Sequence, residues 1–147
     1  MNGGTSTAFA SMYVILLIGL PSMGCNQERS TERAVKLCGN ISNKGIEWVG
    51  DFIGMRPTIV GANEQLVEVT SVNVEPYLLL ALDDPNRWIA AHVLLTARHP
   101  EFGTRFDTSH WNGLEVRVRG DGPPRIDPKQ QDAIREFWRK RLAKQGS

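Results

Sequence analysis

The chain carries no charged side chain before Glu28, no repeat of sufficient copy number, no low-complexity tract and only two cysteines. Each absence excludes something. Two cysteines are too few for a disulfide-stapled scaffold or a Cys-only zinc site. With 17 Lys+Arg against 16 Asp+Glu, the net charge of +1 lacks the basic excess that draws a protein onto nucleic acid. Gly-x-Ser-x-Gly, a phosphate loop and Cys-x-x-Cys are missing, which removes the commonest motif-borne chemistries. The 147 residues leave room for one domain of ordinary size. No cofactor is implied.

The uncharged opening is nonetheless patterned. Residues 8–20, AFASMYVILLIGL, form an apolar run of thirteen, followed by Pro21, Ser22, Met23, Gly24 and Cys25. As a helix the run rises ~20 Å, short of a bilayer core of about 30 Å. A short apolar core followed by a turn and small residues is the plan of a cleaved export signal. Residues 1–24 are therefore read as a signal peptide and 25–30 as a polar tether.

Ser22-Met23-Gly24-Cys25 resembles the lipobox of bacterial lipoproteins. In that family a small residue precedes a Cys whose thiol receives a diacylglyceryl group, and cleavage then makes that Cys the new N-terminus. Gly24 and Cys25 match; Ser22 and Met23 depart from the preferred Leu and small residue, and no Lys or Arg precedes the apolar run. The resemblance implies lipidation at Cys25 and attachment to the membrane through that lipid, on the extracytoplasmic side of the cell envelope. Two other readings stay open. One is a plain secreted protein with Cys25 free or bonded to Cys38; the other is an uncleaved single-span anchor lengthened by residues 5–7. If Cys25 is acylated, Cys38 is left odd, and its neighbours Val35 and Leu37 mark it as a small buried hydrophobe.

Downstream, one α-rich domain is expected over residues 31–147. Residues 31–37 predict a short helix stopped by Gly39 and Asn40. Ile46, Val49, Phe52 and Ile53 recur at helical spacing, with Trp48 beside them, and predict a second helix that Gly45, Gly50 and Gly54 weaken. Residues 57–74 show no clear period and read as loop with room for one strand. Residues 76–99 predict two helices with Asp83-Asp84-Pro85 between them, Asp84 capping the second and Pro85 in its first turn. So tight a junction makes them antiparallel neighbours.

Pro76, Leu79, Leu82, Asp84, Arg87, Ala90, Ala91 and Leu94 resemble the pattern of one HEAT-type helical repeat. A solenoid needs at least about three such units, so the resemblance implies a helix pair packed on other elements and no inherited partner. Asn112-Gly113 predicts a hairpin turn, followed by Leu114, Val116 and Val118 alternating with Glu115, Arg117 and Arg119. Asp127, Pro128 and Gln130 write the start of a C-terminal helix as a capping-box variant, with Ile134, Phe137, Trp138 and Leu142 on one face. Arg139, Lys140, Arg141 and Lys144 suit the negative end of its dipole. The expected fold is mainly α: a small helical domain with a HEAT-like helix pair, a short β-hairpin and a capped C-terminal helix.

Candidate chemistry is sparse. His92, His99 and His110, with Glu101 or Asp107, are the residue types of a zinc site. Seven residues of helix separate His92 from His99 by about 10 Å, too far for one ion, and His92 within AAHVLL reads as a hydrogen-bonded packing histidine. Asp83 and Asp84 read as turn and cap residues. Arg119-Gly120-Asp121 spells the integrin-binding tripeptide where Gly and Asp are ordinary turn formers, and Asn40-Ile41-Ser42 is a sequon. The basic C-terminal helix reads as a core helix with a solvated face, with a membrane-surface role as its alternative.

The function expected is a lipid-anchored, extracytoplasmic envelope protein with a non-catalytic binding or structural role. Its partners would be the membrane, through the lipid on Cys25, and an envelope protein, with no nucleic acid. Trp48, Trp88, Trp111 and Trp138 serve either a shared core or a docking surface. The alternative is a small metal-dependent hydrolase using His92 and His110.

Overall fold

The computed structural model describes residues 23–51, 54–69, 72–102, 110–119 and 122–144. The apolar run of the expected export signal lies outside the described residues, as do Asp107, Gly120 and Asp121. Of Cys25 only the backbone is described. The elements run α1 (Met23–Asn40), β1 (Ile46–Asp51), β2 (Gly54–Ile59), α2 (Glu64–Val67), α3 (Glu75–Ala81), α4 (Trp88–Arg98), β3 (His110–Trp111), β4 (Leu114–Glu115) and α5 (Gln131–Ala143). Short 3-10 turns stand at Asn43–Gly45, Gly61–Asn63, Pro100–Phe102 and Pro128–Gln130. The domain is mainly α, as expected. No helix among the described residues is long and apolar enough to cross a membrane.

Helix α4 is the centre of the packing. Its residues Trp88, Ala90, Ala91, His92, Val93, Leu94, Leu95 and Thr96 are all buried, so it is enclosed on nearly every side. It packs against α2, α3, α5 and the turn Asn43–Gly45. Leu78, Ala81 and Leu82 from α3 and its end, Leu66 from α2, and Ile134 and Trp138 from α5 complete the centre of the core. Helix α1 is longer than its apolar pattern predicts. It contributes Ala34, Cys38 and, just past its end, Ile41, at spacings of four and three, while residues 26–30 are helical and continuous with it.

The predicted helix around Ile46–Ile53 is overturned. Ile46–Asp51 is strand β1, paired antiparallel with β2 in the register Ile46↔Ile59, Trp48↔Pro57 and Gly50↔Met55, while Phe52 and Ile53 lie outside the described residues. The apolar positions 46, 49, 52 and 53 fit a helical stripe, but Ile46 and Trp48 on alternate positions fit a strand as well. Burial decides between them. Ile46 is buried and Trp48 packs on the core, whereas Val49, which a helix would have buried, is 56% exposed. The helical cost of the glycines, about 1 kcal/mol each, points the same way. Residues 57–74, read as loop with one strand, contain the rest of β2 and the short helix α2.

Side-chain amides hold the connections in place. Asn63, buried, accepts the Ser42 N–H on Oδ1 at 3.2 Å and donates Nδ2 to the Ser42 carbonyl at 3.0 Å. A Cβ on Gly45 would overlap the Asn63 amide, so this close approach requires glycine. Asn43 accepts the Ile89 and Ala90 N–H groups on Oδ1 at 3.0 and 3.2 Å, capping α4 from more than forty residues away. The expected cap, Asp84, is displaced to the turn before the helix. There Oδ1 accepts the Asn86 N–H at 2.8 Å and Oδ2 accepts Arg87 Nε at 2.7 Å, and α4 starts only at Trp88. Those bonds, with the Asn86 N–H foremost, hold the Asp84 carboxyl below its ordinary pKa.

The Asn112-Gly113 turn forms as predicted, with positive φ at both residues, 47° and 84°. Leu114 and Val116 are buried, but Val118 is 48% exposed, so the alternation that the sequence predicts reaches the core at two of its three apolar positions. Asp127 caps the 3-10 turn ahead of α5 by accepting the Lys129 N–H at 3.0 Å. Gln130 does not close a capping box. Its amide accepts the Glu115 N–H at 2.7 Å and donates to the Glu115 carbonyl at 3.0 Å, occupying the place of a neighbouring strand.

Candidate functional site

Rings from four parts of the chain meet along one side of α4. His92 and His99 come from α4 and its end, Trp111 from β3, Phe102 from the turn after α4, and Phe137 and Trp138 from α5. Trp48 of β1 meets Trp111 edge-on at 6.0 Å between ring centroids, and Trp111 meets His92 at 5.4 Å. On the other side of His92 stands Trp138, which in turn contacts His99, Phe102 and Phe137 at 6.0, 5.8 and 5.2 Å. Edge-to-face contacts of this kind add about 0.5–1.5 kcal/mol per pair beyond area burial. Trp111 and Trp138, with Trp88 of α4, are buried in the core, and Trp48 packs against it partly buried.

His92 is the centre of this stack and is fully buried. Trp138 Nε1–H donates to its Nδ1 at 2.8 Å. Because an indole only donates, Nδ1 must be the bare nitrogen and Nε2 carries the proton. Nε2 has no hydrogen-bond partner among the described residues. Burial drives the His92 pKa down to about 3, against a smaller opposing pull from the Asn112 backbone. The imidazole is neutral at physiological pH. Its helix carbonyl accepts the Thr96 hydroxyl at 2.9 Å, and Thr96 Oγ1 accepts Asn112 Nδ2 at 2.7 Å, which ties the hairpin turn to α4.

A second polar group sits at the end of α4. His99 Nδ1 lies 2.9 Å from Glu101 Oε1, and Nε2 lies 3.5 Å from Glu75 Oε1, within ion-pair reach but not a hydrogen bond. Arg98 Nε donates to the same Glu75 oxygen at 2.9 Å, and Nη1 donates to the Val69 carbonyl. Burial pushes the Glu75 carboxyl up, yet the Arg98 hydrogen bond, its own backbone N–H and the nearby charges outweigh it and hold the pKa below normal. Cys38 is buried and free. Burial pushes its thiol up to about 11, Arg98 and Glu75 acting in opposite directions on it, so it is an inert hydrophobe as expected.

The ring stack opens to solvent at one end. Phe102, Asn112, Gly113, Ala133, Ile134, Phe137 and Arg141 line a cleft of about 430 Å³. Ala133, Phe137 and Arg141 stand four residues apart on α5 and form one wall. Phe102 and the hairpin turn form the other. The Arg141 guanidinium lies 5.3 Å from the centroid of each phenyl ring, Phe102 and Phe137. The other cations of α5 are engaged within the domain: Arg135 and Arg139 pair with Asp83 at 3.1 and 3.0 Å, and Lys140 pairs with Glu136 at 2.7 Å. Arg141 has no carboxylate partner among the described residues.

The sequence-predicted site residues are scattered. His92 is inside the core, while His110 is exposed on β3, with the buried Trp111 next to it. Among the described residues no three His, Cys, Asp or Glu side chains stand close enough to share a metal ion. Asp83 is an ion-pair partner for α5, and Asn40 of the sequon is exposed at the end of α1. Sequence reasoning missed Phe102 and took Phe137 and Arg141 for core and dipole residues. The Phe137-to-Arg141 spacing of four, which stacks the two side chains, was the signal for the cleft. No family model matches the chain, and no significant match was found among curated proteins or solved structures.

Proposed function

We propose that this chain is a lipid-anchored envelope protein, attached through Cys25, whose folded domain has a non-catalytic binding or structural role. The observation that carries the reading is the distance between Cys25 and the core. The first buried side chain among the described residues is Ala34, nine positions downstream, and Glu28, Arg29, Glu32 and Arg33 are all exposed. Nine residues of helix span ~13 Å. Processing ahead of Cys25 would thus remove no described core residue, and the intervening helix would stand the domain off a membrane surface. The α3–α4 pair, read as one HEAT-like unit, is the frame of that domain rather than a repeat surface.

The test is metabolic labelling with a palmitate analogue in a bacterial host, comparing wild type with Cys25→Ser and fractionating membranes. Label and membrane association present in wild type and lost in the variant support the reading. Absence of label in both overturns it and returns the secreted and single-span readings; a Cys25–Cys38 bond is not among them, because thirteen residues of α1 hold the two positions ~20 Å apart.

A further inference from the structure

We propose that the cleft between α5 and the Asn112-Gly113 turn binds a small monocarboxylic acid with an aromatic or short aliphatic body. The volume, about 430 Å³, falls within the roughly 300–1,000 Å³ of small-molecule sites. Its lining is mixed: Phe102, Phe137 and Ala133 offer apolar surface beside the polar Asn112 and Arg141. The apolar part takes the body of a ligand and the polar part its head group.

Charge decides the head group. Arg141 is the one charged residue among those lining the cleft. Its guanidinium contacts Phe102 and Phe137 at 5.3 Å each, which holds it over the cleft at low entropic cost. Stacking uses the guanidinium face and leaves its in-plane N–H donors free, in the fork that matches a carboxylate. No carboxylate of the described residues takes that place, although Arg135, Arg139 and Lys140 on the same helix are all paired. A single cation balances a single negative charge. Phosphate, with nearly two charges, would find no second cation among the lining residues. The site stands on its own and does not depend on lipidation at Cys25.

Calorimetric titration of the purified full chain tests this, with 3-phenylpropionate as the probe, 3-phenylpropanol as its uncharged counterpart and inorganic phosphate as the second anion. Saturable binding of one 3-phenylpropionate is expected, with the alcohol and phosphate each weaker by about tenfold or more. Arg141→Leu should weaken the carboxylate about tenfold and leave the alcohol unchanged. Ala133→Trp, a change at an exposed position that fills the cleft, should abolish both. Retained thermal unfolding in each variant establishes that the fold survives. No saturable binding by wild type, equal carboxylate affinity in Arg141→Leu, or tighter binding of phosphate would each overturn the assignment.

Discussion

The indole N–H of Trp138 donates to Nδ1 of His92 at 2.8 Å, between two rings that are both fully buried. The bond joins α5 to α4 across the centre of the domain and specifies which His92 nitrogen is bare. Each partner satisfies the other where no water competes.

Removing one partner should cost more than removing both would suggest. His92→Leu leaves the indole N–H orphaned, a loss of about 1–3 kcal/mol, and Trp138→Phe leaves Nδ1 unpaired besides opening space. The double variant should recover at least about 0.5 kcal/mol of the summed losses. Chemical denaturation of the four proteins measures this, and strict additivity would contradict it.

His92 also sets an acid limit. Its pKa is about 3 in the fold against an ordinary 6.5, so between those values the unfolded chain holds a proton that the folded chain lacks. The His92 contribution is therefore fully present above pH ~6.5 and is lost as pH falls towards about 3, by up to about 1.4 kcal/mol per pH unit. Denaturation curves should show that His92→Leu, though less stable at neutral pH, loses stability less steeply on acidification. Parallel pH profiles for the two proteins would refute the assignment.

Asn43 should behave as the cap of α4 despite its distance in sequence. Asn43→Ala removes the acceptor for Ile89 and Ala90 and the donor to the Pro85 carbonyl, a loss of about 1–2 kcal/mol. Asn43→Asp keeps the acceptor and adds charge at the positive end of the helix, so it should cost less than the alanine. Equal losses in the two variants would remove the capping role.

Cys38, buried with its thiol pKa near 11, should resist aromatic disulfide reagents in the folded protein and react at once in denaturant. Fast labelling of Cys38 without denaturant would contradict the burial of α1 against the core.

Legibility in the sequence followed locality. The Asn112-Gly113 turn is written in adjacent residues and formed as read, whereas Asp127 and Pro128 start a 3-10 turn ahead of the last helix and Gln130 leaves the expected capping box to bond Glu115. The α3–α4 pair was legible from its apolar runs and the intervening turn. Residues 46–53 were not, because positions 46, 49, 52 and 53 satisfy a helical stripe while the partner strand carries Pro57, which argues against a strand. The trans cap from Asn43 and the Gln130 clamp on Glu115 join residues far apart in the chain, so no local pattern announces them. One wall of the cleft, Phe137 and Arg141, carries a local spacing, but the other was hidden for the same reason: Phe102 arrives beside α5 only through the fold.

The measurement that bears most directly on the account is the mass of the N-terminal peptide of the mature protein recovered from membranes. Lipid anchoring through Cys25 predicts a peptide that begins at Cys25 and carries a diacylglyceryl thioether. A peptide that begins at Met1, or one that begins at an unmodified Cys25, would contradict it.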